Sequence, residues 1–268
     1  VFANPMHHMT AIGVSVVFAG VVQVAWSMLA LRKHGWFTRN KKSAHNELKV
    51  MTRRMLPMVV GLGTLQLNTL LDGFVANWSN LFGSSFFFGL QYPLQEGTMA
   101  SLTWAQRLYQ FPLGVFGIAV ATAIYPLLAK QAKMHDSFSS MIRRGLRLVV
   151  YIGLPASAGL ILIREPLVSA VFQGVKFTSE DVITVGSILL GYSSAVWAYS
   201  MIQVLTRGFY AKGDMKTPVT IAVICVALNF VLNVLLIWTP LGASGLAWST
   251  AICAVLNVSL LLVYIRPH

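Results

Sequence analysis

Apolar residues recur along this chain in long unbroken runs rather than in the narrow stripes of a soluble helix. Seven stretches stand out, at about 10–31, 55–76, 101–129, 145–163, 182–206, 218–238 and 243–265. Each is long enough to cross a bilayer core of roughly 30 Å as about 20 helical residues. None alternates as a barrel strand does, so each predicts a helix whose backbone polar groups are satisfied internally. The expected fold class is all-α, a polytopic transmembrane helical bundle of about seven spans. Polar punctuation marks some of the ends. Thr178 with Asp181 three residues on predicts a capping box opening the fifth span, and Thr217-Pro218 predicts an N-cap followed by proline at the first helical position of the sixth. Pro112 lies inside the third span with Gly114 and Gly117 just beyond it. It cannot donate to the Leu108 carbonyl and predicts a kink or a locally loosened helix. Such breaks line cavities in transporters or are simple packing kinks, and the pattern leaves both readings open.

Composition agrees with a membrane protein. The 268 residues are 56% hydrophobic and only 10% charged, against roughly a quarter charged in soluble domains. A water-soluble globule, a disordered chain and a disulfide scaffold are excluded. Cys225 and Cys253 both fall inside apolar runs and report no redox compartment.

The net charge of +12 suggests nucleic acid until it is placed on the spans. Seventeen of the 20 basic residues fall in 32–54, 130–147, 207–216 and at Arg266, on one side of the predicted membrane. Only Arg164 and Lys176 fall on the other, and Arg107 lies within a span. This is the positive-inside pattern at every crossing, so nucleic acid is not an expected partner. The basic loops are expected to be cytoplasmic, with Val1 outside and His268 inside. The chain begins without an initiator Met and without a signal-peptide pattern, and is read as a piece of a longer protein.

Two ionisable side chains lie well inside the spans, Arg107 and Asp72. A charge at the bilayer centre costs at least about 2.5–3.5 kcal/mol, so such residues face a cavity or a partner. Arg107 can snorkel to the outer headgroups, or its planar guanidinium can clamp a phosphate in a cavity. Thr64, Asn68 and Asp72 share one helical face at i, i+4, i+8. Asn229 and Asn233 do the same on the sixth span, and Thr250 and Asn257 are polar points on the seventh. These faces serve either as interhelical hydrogen-bond glue or, given a carboxylate among them, as oxygen ligands of a hard cation. Enzyme chemistry has little support, with no GxSxG, HExxH or Walker loop present. His7-His8 reads as an incidental loop pair. Glu47, Glu96, Asp136, Glu165, Glu180 and Asp214 are assigned to loops.

Three stretches go beyond composition. AQRLYQFPLGVFGIAVATAIYPLLAK (105–130), VFQGVKFTSED (171–181) and RGFYAKGDMKTPV (207–219) resemble the MurJ/MviN family of lipid II flippases, within the multidrug/oligosaccharidyl-lipid/polysaccharide exporter superfamily. The resemblance runs on through LNFVLNVLLIWTPLGASGLAWSTA (228–251) and covers essentially the whole chain. It implies two six-helix lobes around a central cavity, of which this chain is similar to about helix 6 to helix 12. On that basis 1–31 is the last helix of the first lobe, 32–54 a basic cytoplasmic linker, and 55–268 the second lobe. The implied function is transport of undecaprenyl-pyrophosphate-linked peptidoglycan precursor across the cytoplasmic membrane by alternating access. The implied partners are lipid II, the bilayer and cell-wall synthesis proteins. No cofactor is required, and Na+ or the membrane potential is the implied source of coupling.

The resemblance places Arg107 at the family's cavity arginine, with Gln106, Gln110 and Pro112 beside it as substrate-binding positions. Gln106 and Gln110 stand where many members carry acids. Asp72, Asn229, Asn233 and Thr250 match a cation site of some members, Asn233 replacing an acid. Two other functions compete: a polysaccharide or drug exporter of the same superfamily, and a non-transporting scaffold for cell-wall assembly.

Overall fold

A computed structural model of the chain describes residues 5–32, 52, 63, 66–78, 86–87, 90–132, 134–174 and 177–265. The chain divides into two units, Val1–Thr52 and Arg53–His268. The first is represented by α1, Pro5–Arg32. From Val14 to Leu31 its large apolar side chains are exposed whichever way they point. A helix apolar on every face is built for lipid rather than for one packed seam.

In the second unit, residues 66–76 form α2. A two-residue antiparallel hairpin follows, pairing Phe86–Phe87 (β1) with Leu90–Gln91 (β2). The rest is helical: α3 Thr98–Pro112, a π-helical turn Leu113–Ile118, α4 Ala119–Gln131, α5 His135–Leu162 and α6 Arg164–Phe172. Then come α7 Ser179–Ser193, α8 Val196–Ala211, α9 Lys216–Leu236 and α10 Ser244–Ile265. The fold is an all-α bundle. Among the described residues five helices are long and apolar enough to cross a membrane, and α7 with α8, bent by 41°, count as a sixth when taken together as one broken span. The predicted span 55–76 is described chiefly over 66–76.

The predicted irregularities take definite forms. At Pro112 the helix continues but loosens into the π-helical turn, which absorbs the missing amide donor without ending the span. Gly117 lets this turn approach α8, because a Cβ there would lie 2.8 Å from Ser200 Oγ and 3.1 Å from Ser200 Cα. The expected continuous span 182–206 is instead broken after Ser193. The amide of Trp197, at the start of α8, is met by Ser157 Oγ of α5 at 3.3 Å. The capping box at Thr178 is present, with Asp181 Oδ2 accepting from Thr178 N at 2.8 Å and Thr178 Oγ1 accepting from Asp181 N at 3.4 Å. The expected Thr217 cap is corrected: α9 starts at Lys216, and Asp214 Oδ1 accepts from Lys216 N and Thr217 N, each at 3.1 Å. Pro218 therefore falls in the first turn, where its missing N–H costs nothing. Helix α5 also begins ten residues before the apolar run, so Arg143, Arg144 and Arg147 are helical.

Because the helices alternate in direction, α4, α8 and α10 finish at the end of the bundle where α5 and α9 begin. This is the basic end, where Lys212 Nζ lies 4.6 Å from the Phe138 ring centroid. Leu205, Phe209, Ile221, Val258 and Leu261 pack the core towards it. Towards the opposite end the core is Leu102, Ile188, Leu189, Ile237 and Leu246, with Tyr92 and Leu94 brought in from the segment after the hairpin. The Tyr92 hydroxyl donates to the Val75 carbonyl, and its ring meets Trp238 edge-on at 6.3 Å.

Candidate functional site

Between these cores the second unit contains a cavity of about 680 Å³, within the size range of ligand sites. Asn68 and Asp72 of α2, Gln106 and Gln110 of α3, Asn229 of α9 and Thr250 of α10 all line it. The i, i+4 spacing does the local work: α2, α3 and α9 each present two polar side chains on one face, and those faces converge.

The convergence is closest at Asp72, which is 3% exposed. Its Oδ1 accepts from Asn233 Nδ2 at 2.6 Å, and its Oδ2 from Asn68 Nδ2 at 3.2 Å. Asn233 Nδ2 also reaches Asn229 Oδ1 at 3.0 Å, while its own carbonyl accepts from the Ser249 hydroxyl. Asn229 Nδ2 donates to Ser249 Oγ and Thr250 Oγ1, both at 3.2 Å. The Asn229 amide finds partners in either sense. Turned over, its nitrogen reaches Asp72 Oδ1 and Asn68 Oδ1 at 3.2 Å, and its oxygen accepts from Thr250 N at 3.1 Å. The structure thus brings together all four residues of the expected cation site, Asp72, Asn229, Asn233 and Thr250. It adds Asn68 and Ser249 to them. Thr64 lies outside the described residues. The donor set is one carboxylate surrounded by neutral amide and hydroxyl oxygens, and no group of three His, Cys, Asp or Glu gathers among the described residues. Such a set suits a hard monovalent cation better than a divalent or soft one.

The expected substrate positions separate. Gln106 and Gln110 line the cavity, and Gln106 Nε2 donates to Tyr192 Oη at 3.1 Å. Arg107, between them in sequence, is not among the cavity-lining residues. It is exposed on the flank that also carries Phe111, which is 72% exposed. Helical geometry explains this, since Ala105 is fully buried and Arg107 lies about 200° further round the helix. Pro112 acts through the backbone, setting the π-helical turn just beyond Gln110.

Other cavity residues carried no signal in the sequence pattern. Tyr109 stacks on Tyr192 at 4.9 Å and meets Tyr199 with its ring tilted at 5.4 Å, bridging the break between α7 and α8. Tyr199 Oη is buried with no hydrogen-bond partner among the described residues. Towards the basic end the wall includes Gln203, Thr206, Arg207 and Tyr210. The tyrosines lie within apolar runs that mark them out in no way, and Arg207 belongs by sequence to the basic segment 207–216.

The comparisons with known proteins agree. The family model described as lipid II flippase MurJ matches residues 1–268. A probable lipid II flippase MurJ of Vibrio cholerae is 35% identical over 253 residues, covering 93% of this chain and 45% of that protein. Its counterpart in Haemophilus influenzae is 29% identical, covering 94% and 48%. The chain spans about half the length of the curated relatives it matches. Among solved structures, a lipid II flippase MurJ in an inward closed conformation superposes with a TM-score of 0.67 at 25% identity, over 86% of this chain and 45% of that one. An outward-facing multidrug resistance MATE family transporter gives 0.66 at 16% identity over 81% and 44%, which speaks for the fold alone. With its apolar helices and polar inner cavity, this multi-pass membrane chain belongs to the lipid II flippase MurJ family.

Proposed function

We propose that this chain is the second lobe, with the helix and linker before it, of a lipid II flippase of the bacterial cytoplasmic membrane. It is a transporter lobe rather than an enzyme. On this reading 1–31 closes the first lobe, 32–54 is the cytoplasmic linker, and 55–268 is the second lobe. The basic end faces the cytoplasm, Val1 lies outside and His268 inside. The substrate is undecaprenyl-pyrophosphate-linked peptidoglycan precursor, moved by alternating access. The observation that carries the reading is a cavity on which polar side chains of several apolar, span-length helices converge, in a chain of the MurJ family.

Arg107 is the anion clamp in this proposal. An exposed guanidinium on the flank of α3, with no ion-pair partner among the described residues, suits a diphosphate. Gln106 and Gln110 leave its charge unneutralised where acids would pair with it. Asp72, Asn229, Asn233 and Thr250 hold Na+. Energy comes from the membrane potential, which is worth about 2.3 kcal/mol per charge per 100 mV, and from that ion. Cell-wall synthesis proteins are further partners.

The test is rescue of cells depleted of their own lipid II flippase by the native protein and by Arg107→Ala at equal membrane abundance. Rescue by the wild type alone supports both the flippase and the clamp. Rescue by both returns Arg107 to snorkelling, and failure of both puts the exporter or scaffold ahead.

A further inference from the structure

Topology alone accounts for a basic residue at position 207, but not for the way Arg207 is held. Its Nη1 donates to the Gln203 carbonyl at 3.1 Å and to Gln203 Oε1 at 2.8 Å, and its Nη2 donates to Thr122 Oγ1 at 3.2 Å. Gln203 lies one turn back on α8, and Thr122 lies on α4. An arginine that merely snorkels needs no fixed seat on a neighbouring helix. All three acceptors are neutral, and the ion pair found among the described residues is Arg164 with Glu165. Among the described residues the guanidinium is therefore oriented but not neutralised, and it forms part of the cavity wall beside Thr206 and Tyr210. A planar fork fixed in this way with its charge unspent is suited to a phosphate.

The same cavity reaches Gln106 and Gln110, which flank Arg107 in sequence. Fifteen residues separate Arg107 from Thr122 along α3, the π-helical turn and α4, a rise of about 20 Å. The lobe thus carries one arginine in the cavity wall at the basic end and another on the exposed flank of α3. We propose that Arg207, seated by Gln203 and Thr122, is a second anion-binding station, taking a diphosphate at the basic end of the cavity. It receives the diphosphate head of the lipid-linked substrate before that group passes to the flank bearing Arg107. The inference rests on the flippase reading and on its orientation.

The test titrates farnesyl diphosphate and inorganic pyrophosphate into the native protein in discs of uncharged lipid. The wild type is compared with Arg207→Gln, Arg207→Lys, Thr122→Val and, as a control outside the cavity, Arg144→Gln. Arg207→Gln is expected to weaken binding about tenfold or more, the usual scale for a lost charged hydrogen bond. Arg207→Lys keeps part of the affinity, Thr122→Val loses several-fold with the charge intact, and Arg144→Gln matches wild type. Binding of both probes assigns recognition to the phosphates, and binding of the prenyl probe alone assigns part of it to the chain; either supports the station. Wild-type affinity in Arg207→Gln, or equal losses in Arg207→Gln and Arg144→Gln, overturns it. Absence of any wild-type binding also overturns it, while rescue of flippase-depleted cells would still uphold the function. Thermal unfolding confirms that the variants are folded, and Thr122→Val tests the seat without removing the charge.

Discussion

Asn233 and Asp72 are 161 residues apart in sequence, and Asn233 Nδ2 donates to Asp72 Oδ1 at 2.6 Å. The bond ties α9 to α2 inside the bundle, where an unpaired carboxylate would be costly. It is also the nearest approach of the only carboxylate in the polar cluster to the amides that would share a cation with it.

A bound Na+ should stabilise the wild-type protein, and Asp72→Asn should abolish that response. At a hundredfold excess over its dissociation constant a ligand specific to the folded state contributes about 2.7 kcal/mol. Thermal unfolding in Na+ against a bulky organic cation checks this. Equal Na+ stabilisation of wild type and Asp72→Asn would assign the cluster to interhelical glue alone.

Gly191 lets α7 lie against α10. A Cβ there would meet Ala247 Cβ at 2.8 Å and Trp248 N at 3.1 Å. Gly191→Val should cost about 1–3 kcal/mol, the scale of overpacking. A melting temperature unchanged from wild type would show that the helices separate freely.

Thr178→Ala removes the hydroxyl half of the capping box and should cost about 0.5–2 kcal/mol. Thr178→Ser keeps an oxygen and should lose much less. Comparing the two by thermal unfolding isolates the cap from other effects of the site, because the pair is exposed.

Pro112→Ala restores an amide able to bond the Leu108 carbonyl. The π-helical turn at Leu113–Ile118 should then relax towards regular helix, recovering part of the roughly 3 kcal/mol that an interior proline costs. The expected outcome is a higher melting temperature with slower rescue of flippase-depleted cells. Unimpaired rescue would make the turn a packing feature only.

Much of this was legible in the residues. Run length set the spans, because the bilayer core fixes how many apolar residues a helix needs. The i, i+4 spacing put Asn68 with Asp72 and Asn229 with Asn233 before any packing was known. Pro112 announced its irregularity through a missing donor, and Thr178 with Asp181 announced a cap, since both are effects confined to a single turn.

What the tertiary structure decided was which way each face looks. In a soluble helix the apolar stripe points to the core, but here lipid and core are equally apolar, so hydrophobicity cannot assign the facing of a span. That is why Arg107 and Arg207 exchange their expected settings: the arginine within the apolar run lies on an exposed flank, and the one counted with a basic loop lines the cavity. The break after Ser193 was invisible for a related reason. No proline marks it, and its free amide at Trp197 is met by a hydroxyl from Ser157, 40 residues away in sequence. Local spacing fixed the elements and their polar faces. The meeting of those faces around Asp72 depended on long-range packing, which one sequence does not encode in any local pattern.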